Sequence, residues 1–120
     1  MPGKLVHFEV SAKDTNRALA FYKDMFGWQF QAFEGGPEYH MTQLAEDMGG
    51  AVTPGDPGAI RVYFDVDDIN DGVARLKELG GKADDPMPVP GMGWFATAAD
   101  TEGNPIGLWQ TDPSASMPEG

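Results

Sequence analysis

Residues Leu5 to Val10 alternate, with Val6, Phe8 and Val10 on one side and Leu5, His7 and Glu9 on the other. A two-residue period of this kind marks a strand buried on one face. The pattern then changes. Asp14 stands where a helix N-cap is wanted, and Ala18, Phe21, Tyr22 and Met25 form an apolar stripe at helical spacing. Gly27 follows where a helix end takes left-handed geometry, so the spacing predicts a helix over Thr15–Phe26. Two aromatic-rich runs, Trp28–Phe33 and Tyr39–Leu44, flank Glu34-Gly35-Gly36-Pro37 and predict a hairpin. A shorter strand around Gly50–Thr53 closes the unit.

The same order recurs after the turn-rich Pro54–Gly58. His7-Phe8-Glu9-Val10 parallels Tyr63-Phe64-Asp65-Val66, and Phe21–Gly27 parallels Ala74–Gly80. The second helix, Asp68 to Leu79, is capped by Asp67 or Asp68 and buries Ile69, Val73 and Leu76. Strands over Lys82–Ala83, Trp94–Ala99 and Pro105–Gln110 complete the repeat, with the proline-rich Asp85–Pro90 as a loop. The resulting division is a first βαβββ module over residues 1–53, a linker over 54–59, a second βαβββ module over 60–110 and a flexible tail over 111–120. One helix per module cannot supply the crossovers that an all-parallel sheet requires. The expected class is therefore α+β, two βαβββ modules forming a curved mixed sheet with helices outside. Val6, Phe8, Val10, Ile60, Val62, Phe64 and Val66 face the helices. Leu5, His7, Glu9, Arg61, Tyr63 and Asp65 line the other side, whose polar character suits a wet groove for a small molecule.

Composition narrows the function classes. A chain of 120 residues is long enough for one core without staples, and with no cysteine there is neither a disulfide framework nor a thiolate for metal or catalysis. Eight basic against nineteen acidic residues give a net charge of −11, which repels nucleic acid and anionic membranes. The N-terminus enters a strand directly, without the basic start and apolar run of a signal peptide, and a soluble cytoplasmic protein is expected.

From Leu5 to Gln110 the chain resembles the vicinal oxygen chelate superfamily of glyoxalases, bleomycin-resistance proteins and ring-cleaving dioxygenases. The resemblance rests on His7-Phe8-Glu9, on Ala20-Phe21-Tyr22 with Phe26-Gly27-Trp28, on Phe64-Asp65-Val66-Asp67-Asp68, and on Asp100 to Trp109, in that order. It implies a glyoxalase/bleomycin-resistance-like fold and, in metal-dependent members, His, Gln or Glu ligands on the first and last strands of each module. His7 matches the first of these positions. Arg61, taken as the fifth-strand position, has no lone pair for a cation, Gly107 stands where the pattern ends in Glu, and Gly49-Gly50-Ala51 offers no donor. Two unit charges about 4 Å apart interact by about 4 kcal/mol at an effective dielectric near 20, so Arg61 would also repel the ion.

No metal or other cofactor is therefore expected, with His7 the one residual ligand candidate and a divalent metal the alternative. The leading expectation is a small-molecule-binding protein. The alternative is a glyoxalase-like lyase or dioxygenase-related enzyme, using a metal or His7, Glu9 and Asp65 as acid and base. Arg61, Tyr63, Trp94 and Trp109 are the candidate ligand-binding residues, which favours an anionic or aromatic small molecule. A homodimer is expected because an open sheet leaves edges and an aromatic face to cover.

Overall fold

The computed structural model describes residues 3–117. Two compact units divide the chain, one spanning Val6–Arg61 and the other Val62 onward together with the N-terminal segment up to Leu5. Among the described residues no helix is long and apolar enough to cross a membrane.

In the first unit the elements are β1 (Leu5–Ala12), α1 (Thr15–Phe26), β2 (Gln31–Ala32), β3 (His40–Ala45) and β4 (Met48–Pro54). β1 lies parallel to β4, β4 antiparallel to β3, and β3 antiparallel to β2. α1 has the predicted bounds for the predicted reasons: Asp14 accepts a hydrogen bond from the Arg17 amide at 3.0 Å, and Gly27 closes the helix at φ 75°. Its apolar stripe is displaced from the one expected. Ala18, Leu19 and Tyr22 are half-buried, whereas Phe21 and Met25 face solvent. The Trp28–Phe33 run is strand only at Gln31–Ala32, because Trp28 and Phe30 turn into an aromatic cluster with Tyr22 and Phe26.

The second unit begins within β5 (Ile60–Asp65), at Val62, and continues through α2 (Ile69–Glu78), β6 (Lys82–Ala83), β7 (Met87–Val89), β8 (Gly93–Ala99) and β9 (Pro105–Thr111). β5 lies parallel to β9, β9 antiparallel to β8, and β8 antiparallel to β6. First strand parallel to last, with an antiparallel return, is the pattern of the first unit again. The mixed α+β fold expected from the internal repeat is thus present twice. Asp68 caps α2 by accepting from the Asp71 amide at 2.9 Å, and Ile69, Val73, Ala96 and Leu108 form the core beneath the helix.

Two segments differ from their sequence reading. Met87–Val89, inside the expected Asp85–Pro90 loop, pairs with β8; Pro88 is tolerated on a short edge strand, where a missing N–H leaves no ladder partner unsatisfied. Thr111 ends β9, and the chain beyond it is held: Asp112 accepts from Trp94 Nε1 at 3.0 Å and from the Ser114 amide and hydroxyl, while buried Ala115 accepts from the Gly91 amide. Residues 118–120 of the expected tail lie outside the described residues.

Close ring-on-glycine packing shapes each unit. A Cβ at Gly50 would overlap the Phe8 ring, and one at Gly107 would overlap the Tyr63 ring, which is only 4% exposed. Gly107→Ala should therefore lower the unfolding free energy by about 1–3 kcal/mol, the usual range for overpacking. Gly36→Ala, whose Cβ would meet only Phe33 at 3.7 Å, should change it by less than about 0.5 kcal/mol in the same urea titration. Equal losses at the two sites would contradict this packing.

Candidate functional site

The strand register of the first unit sets the site. His7 pairs with Gly49, and Gly49 with Gln43; Glu9 pairs with Ala51, and Ala51 with Met41. Residues paired across neighbouring strands share a face, so β1 contributes His7 and Glu9 and β4 contributes only small residues between them and β3. Tyr39, immediately before β3, reaches across that strip of small residues. His7 Nε2 and the Tyr39 hydroxyl oxygen are 2.6 Å apart, and the hydroxyl donates to Glu9 Oε2 at 2.8 Å. The imidazole and phenol rings stack at a centroid distance of 6.1 Å.

One hydroxyl has one proton to give. Since Tyr39 gives it to Glu9, its oxygen accepts from His7 Nε2–H, and the neutral imidazole keeps its lone pair on Nδ1. Burial pushes the His7 imidazole below its ordinary value, outweighing the opposite pull of the Glu9 carboxylate. The three groups therefore form a hydrogen-bonded chain with a neutral base at one end and a carboxylate at the other, able to hold or pass a proton through the phenol.

Local contacts fix Tyr39. The Phe33 amide donates to the Tyr39 carbonyl at 2.8 Å across the hairpin, and Thr53 Oγ1 donates to the Glu38 carbonyl at 2.9 Å. Glu38 accepts from Thr15 Oγ1 at 2.6 Å and pairs with His40 Nε2 at 2.8 Å; these bonds hold its carboxyl below the ordinary value. His40 thus serves the anchor beside Tyr39.

In the second unit, Tyr63 covers Gly107, and the Asp65–Trp109 pairing places these side chains on the same sheet face. Asp65 Oδ1 accepts from the Lys4 amide at 2.7 Å, clipping the N-terminal segment to β5. Trp109 Nε1 donates to Thr111 Oγ1 at 3.0 Å, and its ring packs where a Gly93 side chain would be. Trp94 belongs to the other face. It packs on the α2 core and is a wall residue there, because β8 alternates and Trp94 falls in phase with Ala96. Arg61 is half-buried on β5.

Tyr39 was not among the residues singled out by sequence. Its only signal was its place after Gly35-Gly36-Pro37, two residues ahead of Met41 in the alternation of β3, and that signal acquires meaning only with the register known.

The sequence model described as Glyoxalase/Bleomycin resistance protein/Dioxygenase superfamily matches residues 4–108. The chain belongs to that superfamily. It is 31% identical over 119 residues to a glyoxylase-like domain-containing protein of Didymella fabae, covering 85% of this chain and 89% of that one. Its fold is similar to that of a hypothetical protein from Bacillus halodurans C-125, with a TM-score of 0.73, 14% identity and coverage of 98% and 99% of the two chains. It is also similar to methylmalonyl-CoA epimerase from Mycobacterium tuberculosis, with a TM-score of 0.69, 17% identity and coverage of 92% and 89%.

The register revises the match to the superfamily's ligand positions. On first and last strands His7 stands opposite Gly49 and Tyr63 opposite Gly107, so it is Tyr63, rather than Arg61, that answers to His7. A side chain at Gly49 would meet the Thr42 carbonyl oxygen at 2.8 Å, and one at Gly107 would strike the Tyr63 ring. Among the described residues no group of three or more His, Asp or Glu side chains stands where it could hold a metal. These residues do not fit a divalent ion.

The desolvated imidazole makes stability depend on pH. An unfolded chain takes up the His7 proton near pH 6.5, whereas the folded chain resists it to lower pH. The unfolded state then binds more protons, so the His7 contribution is intact above about pH 6.5 and is lost as pH falls toward the folded value. Glu38, Asp100 and Asp112, whose hydrogen bonds hold their carboxyls below the ordinary values of 4.5, 3.8 and 3.8, lose theirs only in stronger acid. The urea midpoint of the wild type should fall between pH 7 and pH 5, and that of His7→Gln should fall less. Identical slopes would show that the imidazole is not desolvated.

Proposed function

We propose that this protein binds a small organic molecule, aromatic or carrying one negative charge, in the cytoplasm and without a divalent metal. The observation that carries the reading lies at the ligand positions: His7 Nε2 is bonded to Tyr39, and the paired last-strand positions are glycines closed to donor side chains. A neutral imidazole, a phenol and a carboxylate on one face offer hydrogen bonds to a polar ligand. Arg61, in the same unit as these three groups, supplies a fixed positive charge, and its five donors allow a ligand carboxylate beside any protein partner. The net charge of −11 works against polyanions, so a small monocarboxylate is favoured over an acyl-CoA thioester of the kind named with the epimerase neighbours.

A second reading is supported by the His7–Tyr39–Glu9 chain itself. Those three groups could move a proton at a bound substrate, as a glyoxalase-like lyase or dioxygenase-related enzyme would require. In that case His7→Ala and Tyr39→Phe abolish turnover while leaving the fold intact.

Calorimetric titration decides between the readings. Benzoate and phenylacetate are expected to bind more tightly than methylmalonyl-CoA, and Arg61→Ala should weaken them by about 1.5–3 kcal/mol, the range for hydrogen bonds to charged groups. Zinc, nickel and manganese should show no stoichiometric uptake at micromolar concentrations. Uptake that disappears in His7→Ala would overturn metal independence and restore the metal-dependent lyase or dioxygenase.

A further inference from the structure

A groove of about 600 Å³ opens beside α2, wholly within the second unit. Sites that hold small ligands run from about 300 to 1,000 Å³ and are mostly apolar with a few convergent polar groups. The lining here follows that rule. Val66 after β5, Leu76 and Leu79 at the end of α2, and Ile106 and Leu108 on β9 supply its apolar surface. Gly72, Leu76 and Leu79 recur at helical spacing, so one face of α2 forms one wall. Val66 and Leu76 pack against the buried cluster of Ile69, Val73, Ala96 and Leu108, which fixes the surface before anything binds to it.

Gly72 keeps the wall bare. A Cβ there would stand 3.3 Å from Val66 Cγ1 and 3.4 Å from Leu108 Cδ1, so a side chain would fill the space between them. Leu79 is 61% exposed at the mouth, and the carbon body of a ligand lying in the groove would take that surface out of water.

The rim carries one sign of charge. Asp67, Asp68 and Asp71 line the end where α2 starts. Asp100 lines the other end, next to Thr101, whose Cγ2 would lie 3.4 Å from a Cβ at Gly80 just past the helix. Against these four carboxylates the lining has one base, Arg75, which also faces Glu78 at 3.8 Å. Asp100 stays ionised, because the side-chain and backbone amides of Asn104 and the amide of Glu102 donate to it and hold its carboxyl below the ordinary value. A cleft with apolar walls and acids of one sign concentrates its field on a cation, and the net charge of −11 adds to the attraction.

We propose that the groove between α2 and β9 is a binding site for a small organic cation with an apolar body, an alkyl or aryl ammonium whose carbons lie on Val66, Leu76 and Leu108 and whose charge is met by Asp67 and Asp71. The site is independent of the reading given for the His7 face, since it belongs to the other unit and takes a ligand of opposite charge.

Amide chemical shifts of the full chain, followed while octylammonium chloride is added, test the proposal. Saturable shifts should be confined to residues 66–81 and 100–108. Hexyl- and butylammonium should bind more weakly by about twofold per methylene removed, less than the roughly fourfold of complete burial because the groove is open on one side. Octanoate, of equal length and opposite charge, should leave those amides unmoved. Asp67→Asn combined with Asp71→Asn should weaken octylammonium about fivefold, with Asp68 left intact because it caps α2. Glu34→Gln combined with Asp56→Asn removes the same charge from the other unit and should weaken it by less than about twofold. Leu79→Ala should weaken it about threefold with an unchanged circular dichroism spectrum. Shifts that fail to saturate, that ignore chain length or that octanoate reproduces overturn the proposal. Equal weakening by the two acid pairs also overturns it, since binding would then follow net charge alone.

Discussion

A ring on one strand lying over a glycine on its neighbour is the constraint on which each unit depends. Phe8 over Gly50 and Tyr63 over Gly107 bring first and last strands together through side chain on one side and bare backbone on the other. Trp109 repeats the device at Gly93. Packing at interior density leaves no room for a further methyl group at such points. Tyr63 over Gly107 has a chemical consequence, because a last strand that must be bare beneath a ring cannot also present a carboxylate to a metal. At Gly107 the absence of a donor side chain and the tightness of the packing are one and the same arrangement. At Gly49 the obstacle is the Thr42 carbonyl instead of a ring, with the same result.

His7 has partners of its own in the protein. A half-buried imidazole left without partners would be costly, and charging it there would be costlier. Tyr39 meets both demands by accepting from the neutral ring and passing its own proton toward Glu9. The carboxylate is satisfied, the imidazole stays uncharged, and the polar face keeps groups that can bond to a ligand. Asp65, the repeat partner of Glu9, has a different fate because no tyrosine reaches it in this way; it holds the Lys4 amide. The two acids stand at equivalent places of the repeat with different hydrogen-bond partners.

Much of this was legible in the residues. Alternation located the first strand of each unit, Asp14 and Asp68 marked the helix starts through their free side-chain oxygens, and the recurrence of strand, helix and glycine gave the architecture. What escaped was whatever depends on relations between strands. Periodicity says that Trp94 and Trp109 each lie on some face, but only the β8–β9 register shows that Trp94 joins the α2 core while Trp109 lies with Tyr63 and Asp65. At the fifth-strand ligand position the register sides with the internal overlay of His7 on Tyr63 against the choice of Arg61. Pro88 misled in the opposite direction, since proline argues against a strand except at an edge, and edges are invisible until the sheet is assembled. On α1 the apolar residues were correctly seen, but with two stripes on one helix, spacing alone could not say which faced inward.

Those two stripes and the ring-on-glycine contacts point to a division of labour between the faces of the first unit. On the polar face, β4 is reduced to glycine and alanine so that Tyr39 can cross it, and chemistry there is confined to groups already bonded to one another. On the helix face, aromatic rings are in surplus; Tyr22, Phe26 and Trp28 stack beyond what is needed to cover β4, and Phe21 and Met25 extend the cluster into solvent.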